Sequence, residues 1–200
     1  LRPLIVCLPA LLLLPSIAGC DRQSPDPSQV EAPANGSETP AAPSPAKELT
    51  GHLDISKRGT PAPTDGFEAP DGRKVTLASF KGKPLLVNLW ATWCGPCIAE
   101  MPTLDTIAER GNGKLQVLVV SQDSKGAEVV APFFAKAGFK HLAPYLDQQS
   151  ALGFAFATGM LPTTVLYDAE GKEVWRVVGG MDWDGPRANT LLADVLDSKG

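Results

Sequence analysis

No apolar run in this 200-residue sequence reaches the roughly 20 residues that a membrane-spanning helix needs. The run "LIVCLPALLLL" (4–14) stops well short, and no second candidate follows it. Histidine is nearly absent, with two in the chain, and cysteine is sparse, with four. A structural zinc site needs four ligands at characteristic spacings, and neither His52 nor His141 has a ligand neighbour at such a spacing. Both read as surface residues. Positive charge is not in excess, since 18 Lys and Arg face 22 Asp and Glu. No basic stripe interleaved with aromatics occurs, so nucleic acid is not an expected partner. Internal repeats are absent as well.

The short apolar run follows one positive residue, Arg2, and suits the apolar core of a secretory signal. Small residues follow in "PSIAGC" (15–20), and Ile17-Ala18-Gly19-Cys20 resembles a bacterial lipobox. An ordinary signal cut near Ala18, with Cys20 left as a chance thiol, is the alternative. A lone thiol at an exported N-terminus would be a reactive liability, which favours the lipobox. On that reading residues 1–19 are a lipoprotein signal peptide, Cys7 is removed with them, and Cys20 carries lipid. Residues 20–48 then form a tether. Between 21 and 48 there are six prolines, five alanines, four serines, no aromatic residue, and Val30 as the only large aliphatic one. Such a stretch buries too little apolar surface to offset its ordering entropy, so disorder is expected. Its charge is acidic, which does not suit a lipid-binding basic patch. Asp21 resembles the inner-membrane retention signal of some Gram-negative bacteria. The expected location is therefore the periplasmic face of a bacterial membrane, the inner one in particular.

Globular composition begins near residue 49, and residues 49–200 are of a length for one domain with a sizeable core. Their charge is close to balanced, with 15 Lys and Arg against 17 Asp and Glu. The turn signal "PDGR" introduces a short alternating strand, "KVTL" (74–77). "KPLLVNLWAT" (83–92) and "KLQVLVVSQD" (114–123) suit strands covered on both faces. Between them Ile98, Met101, Leu104, Ile107 and Ala108 recur at helical steps. A second helix is expected over 126–138, with Pro132 starting or kinking it, and a short one over 150–158. "TTVLYD" (163–168) and "EVWRVVGG" (173–180) flank the turn "AEGK" as a hairpin, and 185–198 closes as an amphipathic helix with Pro186 in its first turn. Strands alternating with helices and ending in a hairpin predict an α/β sandwich on a mixed sheet.

In "WATWCGPCIAEMP" (90–102), two residues separate Cys94 from Cys97. A structural disulfide across so small a loop would restrain little of the unfolded chain. A zinc half-site lacks two further ligands. Redox chemistry fits the surroundings better. A strand-to-helix junction puts Cys94 at a helix N-terminus, where backbone N–H groups and the helix dipole favour a thiolate. Pro96 suits the first turn of that helix, and an exported compartment makes a cycling dithiol meaningful.

"WCGPC" with its preceding strand, and "LPTT" some way downstream, resemble the thioredoxin superfamily. More narrowly, residues 57–200 resemble the membrane-anchored TlpA/ResA-like thiol–disulfide reductases of bacteria. The resemblance rests on "GKPLLVNLWATWCGPC", on Glu100 and Pro102, on the extra helix and strand between roughly 124 and 160, and on "LPTTVLYDAEGKEV". It implies an α/β thioredoxin-like fold, with a mixed central sheet flanked by helices, an N-terminal strand extension and a central helix/strand insertion. It also implies roles. Cys94 would be the exposed nucleophile that attacks a partner's disulfide, and Cys97 the resolving thiol. Pro162 would be cis, with the Leu161 backbone pairing with an extended partner segment. Trp93, together with Gly95 and Pro96, would line the docking groove, whereas Trp90 belongs to the core.

One position departs from the family pattern. Many thioredoxins have a buried Asp six residues before the first cysteine, where this chain has Asn88. An amide cannot take the proton from Cys97. Glu100, three residues beyond Cys97 on the same helical face, is the candidate replacement, and a partly buried carboxylate there would have a raised pKa. The alternative for Glu100 is an exposed helix-surface residue. The function expected is an exported, lipid-anchored enzyme that reduces disulfides in partner proteins. A dedicated apocytochrome c reductase is a variant of the same chemistry, although "GMLPTT" departs from the usual setting of the later proline. A metallochaperone binding Cu(I) through the two thiolates is the reading from another class, disfavoured by Gly-Pro and by the lack of a nearby Met or His. No threonine stands where a simple peroxidase of the peroxiredoxin type would have one. No cofactor is expected beyond the Cys94–Cys97 disulfide, and no metal. Expected partners are disulfide-containing exported proteins, an upstream membrane thiol donor, and the membrane itself through Cys20. The protein is expected to be a monomer.

Overall fold

The structure, a computed structural model of the chain, describes residues 50–111 and 113–196. The expected signal peptide, the tether and Cys20 lie outside the described residues. The elements run β1 (Thr50–Asp54), β2 (Phe67–Glu68), β3 (Lys74–Val75), β4 (Leu85–Trp90), α1 (Gly95–Arg110), β5 (Gln116–Ser121), α2 (Ala127–Ala137), β6 (Pro144–Leu146), α3 (Ala151–Phe156), β7 (Thr163–Tyr167), β8 (Glu173–Met181) and α4 (Pro186–Leu196). All eight strands join one mixed sheet in the order β1-β8-β7-β4-β5-β6-β2-β3.

The apolar run "LLVNLW" becomes β4, a central strand with every residue buried. It pairs in parallel with β5 and antiparallel with β7. Its side chains divide between two cores, as the two-residue period of a strand requires. Leu86 and Trp90 face a cluster with Met101, Leu104 and Ile107 of α1, Val130 of α2, and Ala188 and Leu192 of α4. Leu85, Val87 and Leu89 face a second cluster with Leu77, Leu152 and Phe156 of α3, and Tyr167. Three helices thus cover one face of the sheet, and α3 lies on the other. Because β4 is fixed on both sides and at both edges, the turn at its carboxyl end has a firm base.

The fold is the expected one, and the insertion between 124 and 160 is α2, β6 and α3. The expected N-terminal extension is β1, which pairs with β8 at one edge of the sheet. Trp90 is fully buried, and His52 and His141 are exposed. Several details differ. "KVTL" is strand only at Lys74–Val75, after which the chain winds into a 3-10 turn over Leu77–Phe80. Pro132 does not start its helix, because α2 begins at Ala127 and carries the proline inside. β2 was not expected, and β6, the strand of the expected insertion, could not be placed from its residues. With two and three residues, they are too short to show a period and exist through their pairing with each other and with β5.

Candidate active site

β4 ends at Trp90 and α1 begins at Gly95, so four residues turn the chain from strand to helix. Cys94 is the N-cap of α1, with its Sγ 3.3 Å from the Cys97 N–H, and Pro96 occupies the first turn, where a missing donor is harmless. The two cysteines are joined as a disulfide. Cys97 is fully buried, and Cys94 is only 6% exposed. The expectation of an exposed Cys94 is therefore corrected. The turn presses its sulfur into the protein and leaves one small face open.

A buried carboxylate holds that turn. Asp123, just past the end of β5, accepts the Thr92 N–H at 2.9 Å and the Ser121 hydroxyl at 2.8 Å through Oδ2. Its Oδ1 accepts the Thr92 hydroxyl at 2.8 Å. The Gln122 N–H adds a bond to the Trp90 carbonyl at 2.8 Å. Three of these bonds end on the two residues that bracket Ala91, which fixes where Trp93 and Cys94 emerge.

The open face of Cys94 looks into a groove of about 470 Å³, lined among others by Trp93, Gln122, Phe154, Met160 and Leu161. Leu161 and Pro162 are joined by a cis peptide bond. The Thr163 hydroxyl donates to the Met160 carbonyl at 2.7 Å and holds the segment before that bond. Leu161's own N–H and C=O have no hydrogen-bond partner among the described residues. Trp93 is 71% exposed at the groove's rim. Pro162, Gly95 and Pro96 do not line it. Pro162 is buried, while Gly95 and Pro96 are exposed on the first turn of α1.

On the inner side of α1, Glu100 is fully buried, so it is neither the surface glutamate nor the partly buried one that the sequence allowed. Its Oε1 accepts from Asn88 Nδ2 at 2.7 Å. Its Oε2 accepts from the Met181 N–H at 2.8 Å and from Trp183 Nε1 at 3.3 Å. Burial raises its pKa from 4.5 to about 7, with the three donors acting in the opposite direction. Asn88 also donates to the Thr164 hydroxyl at 2.9 Å, and its Oδ1 has no partner among the described residues. Asn88 and Glu100 are thus one buried unit, with Glu100 three residues past Cys97 on α1. A group poised near pH 7 is suited to moving a proton.

The family model that matches this chain is Redoxin, over residues 57–192. The chain belongs to the Redoxin family. Within the thioredoxin superfamily this Redoxin domain is ResA-like. It is 31% identical over 121 residues to the thiol–disulfide oxidoreductase ResA of Bacillus cereus, covering 57% of this chain and 69% of the relative. To ResA of Bacillus subtilis it is 30% identical over 123 residues, covering 62% and 68%. Among solved structures, the pneumococcal exposed lipoprotein thioredoxin Etrx1 of Streptococcus pneumoniae superposes with a TM-score of 0.56 at 26% identity, covering 64% of this chain and 98% of that one. A thioredoxin-family thiol:disulfide interchange protein of Chlorobium tepidum gives a TM-score of 0.55 at 24% identity, covering 70% and 97%, which speaks to the fold. The Redoxin domain is a thiol–disulfide oxidoreductase.

Sequence reasoning missed several residues around the dithiol of this Redoxin domain. Asp123 and Gln122 had a usable signal, because they stand at the carboxyl end of a buried strand, where open α/β sheets gather their binding residues. Met181 and Trp183 had none, since they reach Glu100 from 81 and 83 residues away. Among the described residues, no cluster of three or more His, Cys, Asp and Glu is placed to hold a metal. No helix among them is long and apolar enough to cross a membrane.

Proposed function

We propose that this protein is an exported, lipid-anchored reductant of disulfides in partner proteins, working through Cys94 and Cys97. The observation that carries the reading is the asymmetry of the pair: Cys94 opens into a groove, while Cys97 is sealed inside, three residues before the buried Glu100 on α1. In the reduced protein, the Cys94 thiolate attacks one sulfur of the partner's disulfide. That S–S bond breaks, a mixed disulfide forms, and the partner's other sulfur leaves as a thiolate that takes up a proton. Cys97 then gives its proton to Glu100 and attacks Cys94 Sγ. The partner's second sulfur departs and is protonated, with Glu100 returning the proton. Two electrons have passed to the partner, and the Cys94–Cys97 disulfide remains. An upstream membrane thiol donor restores the dithiol.

The groove supports docking of an extended segment, with the free N–H and C=O of Leu161 available to its backbone. Trp93 at the rim would pack on it, and Gly95 and Pro96 leave the approach to Cys94 unobstructed by long side chains. Pro162 would set the course of the Leu161 backbone. Apocytochrome c is one partner compatible with this chemistry. The sequence reading supports lipid on Cys20 and a periplasmic location, and the likeness to an exposed lipoprotein thioredoxin supports a site outside the cytoplasm.

Equilibration with glutathione tests the direction of electron flow. The Gly-Pro dipeptide leads us to expect a potential on the reducing side, near the roughly −270 mV of thioredoxin. A value near about −120 mV, as in DsbA, overturns the reductase reading. Cys20→Ser tests the anchor, and should move the protein from the membrane to the soluble exported fraction with its reductase activity intact. Persistent membrane attachment refutes lipid as the sole anchor.

A further inference from the structure

We propose that the groove beside Cys94 selects disulfides whose flanking segment is extended, uncharged and carries a large apolar side chain next to the cysteine, and that Phe154 on α3 is the residue that reads it. The inference rests on the reading of the protein as a reductant of partner disulfides. Cys94 lines the groove, so in the mixed disulfide the groove's occupant is the chain that flanks the partner's cysteine. An extended chain advances roughly 3.3 Å per residue and alternates its side chains. The residue beside the partner's cysteine is therefore within reach of the groove walls.

Those walls specify its chemistry. None of the lining residues carries a charge. Of the five large hydrophobic residues exposed among the described ones, three rim this groove: Trp93 at 71%, Phe154 at 80% and Met160 at 56%. Exposed apolar side chains gathered in one place mark an interaction surface.

The wall that carries Phe154 is built to hold still. α3 has six residues, too few to be stable on its own. Leu152 and Phe156 bury one side of it, which turns Phe154 outward. The Asp147 carboxylate accepts the Ala151 and Leu152 N–H groups at its N-terminal end, each at 2.9 Å. At its C-terminal end Arg176 Nη1 donates to the Phe156 carbonyl at 2.6 Å. Negative charge at the first end and positive at the last both complement the helix dipole. Ser150 and Ala157, which flank the helix, have φ of 53° and 54°, a left-handed conformation that costs a residue other than glycine. Gly153 faces the end of the Gln122 side chain, whose Oε1 would stand 2.7 Å from a Cβ built there. Backbone strain of this kind persists where the surroundings over-determine it, and it concentrates at binding sites.

The test uses the whole chain, reduced, with three cystine peptides that differ only beside the cysteine: Phe, Ser or Asp. The expected kcat/KM for the Phe peptide is about tenfold above that for the Ser peptide, the scale set by an apolar side chain in a partly open pocket. The Asp peptide should be the poorest. Phe154 is exposed, so Phe154→Ser leaves the core untouched, and it should shrink the Phe/Ser ratio to about twofold. Raising the salt should leave that ratio unchanged, because no charge lines the groove. Equal kcat/KM for all three peptides, or an undiminished ratio in Phe154→Ser, overturns the selectivity while leaving the reductase reading in place. Failure of the parent to reduce any of the three overturns both.

Discussion

Replacing Glu100 by Gln removes the one buried carboxylate behind the dithiol, and its effect on stability should depend on pH in a defined direction. The carboxyl is fully buried, and burial is the largest cause of its rise from 4.5 to about 7. The folded protein therefore holds this proton between those values, whereas the unfolded chain releases it near 4.5. Stability from the neutral carboxyl is fully present below about pH 4.5 and is lost as pH rises through about 7. The span from 4.5 to about 7 corresponds to about 3 kcal/mol. The Gln variant has no such dependence.

Its hydrogen bonds can survive the change. The new carbonyl oxygen can accept from the Met181 N–H and Trp183 Nε1, as Oε2 does now. The new NH₂ faces Asn88, whose Oδ1 has no partner among the described residues. A flip of the Asn88 amide would present that oxygen to it and to the Thr164 hydroxyl. Urea denaturation of the oxidised proteins isolates the effect, because a disulfide does not titrate. Parent and Glu100→Gln should be close in stability near pH 4.5, with the variant ahead by about 3 kcal/mol near pH 8.5. In the reduced proteins the variant, without the proposed base for Cys97, should turn over about 10-fold more slowly or worse. A stability difference that stays constant from pH 4.5 to 8.5 refutes the buried-carboxyl argument. Thiol reactivity profiles that overlay from pH 6 to 10 refute its role in proton transfer.

Asp123→Ala should leave the Thr92 N–H without its acceptor, cost about 3 kcal/mol in denaturation and slow the reaction of Cys94 with a small disulfide. Asp123→Asn can keep these contacts by turning its NH₂ toward the Thr92 hydroxyl, so it should restore most of both; equal losses in the two variants would show that Asp123 does not position the turn. Arg176→Met should strand the buried Glu173, which now receives two bonds of 2.6 Å from Arg176, and cost about 3–5 kcal/mol in urea. Replacing Glu173 by Leu in that background should recover most of the loss, and failure to recover would place the cost in the freed Phe156 carbonyl.

What could be read in the sequence was whatever neighbouring residues encode together. The β4 run, the cysteine pair and the first turn of α1 are contiguous, so their periods and caps were visible, and the last hairpin showed itself through its turn. The short strands were not visible, since a two-residue β2 has no period and β6 opens on a proline. α3 was legible as a helix but not as a wall. Its anchors, Asp147 and Arg176, come from opposite sides of it in sequence, and only the pairing of β8 with β7 brings Arg176 to the Phe156 carbonyl.

Asn88 and Glu100 show how a local exchange becomes a property of the whole site. Read singly, Asn88 is the loss of a proton acceptor on the strand, and Glu100 is a glutamate on a helix. Their side chains meet at 2.7 Å, so the amide that cannot take the Cys97 proton instead donates to the carboxylate proposed to take it. A carboxyl buried with no donor would stay protonated well above neutral pH and could not act as a base. With no burial it would stay near 4.5 and be too weak a base to take the thiol's proton. The Asn88, Met181 and Trp183 donors bring the buried group back toward about 7, where both transfers are feasible. Two of those donors belong to the end of β8 and the loop after it, so the proton chemistry proposed for Glu100 depends on the register of a strand far from it in sequence.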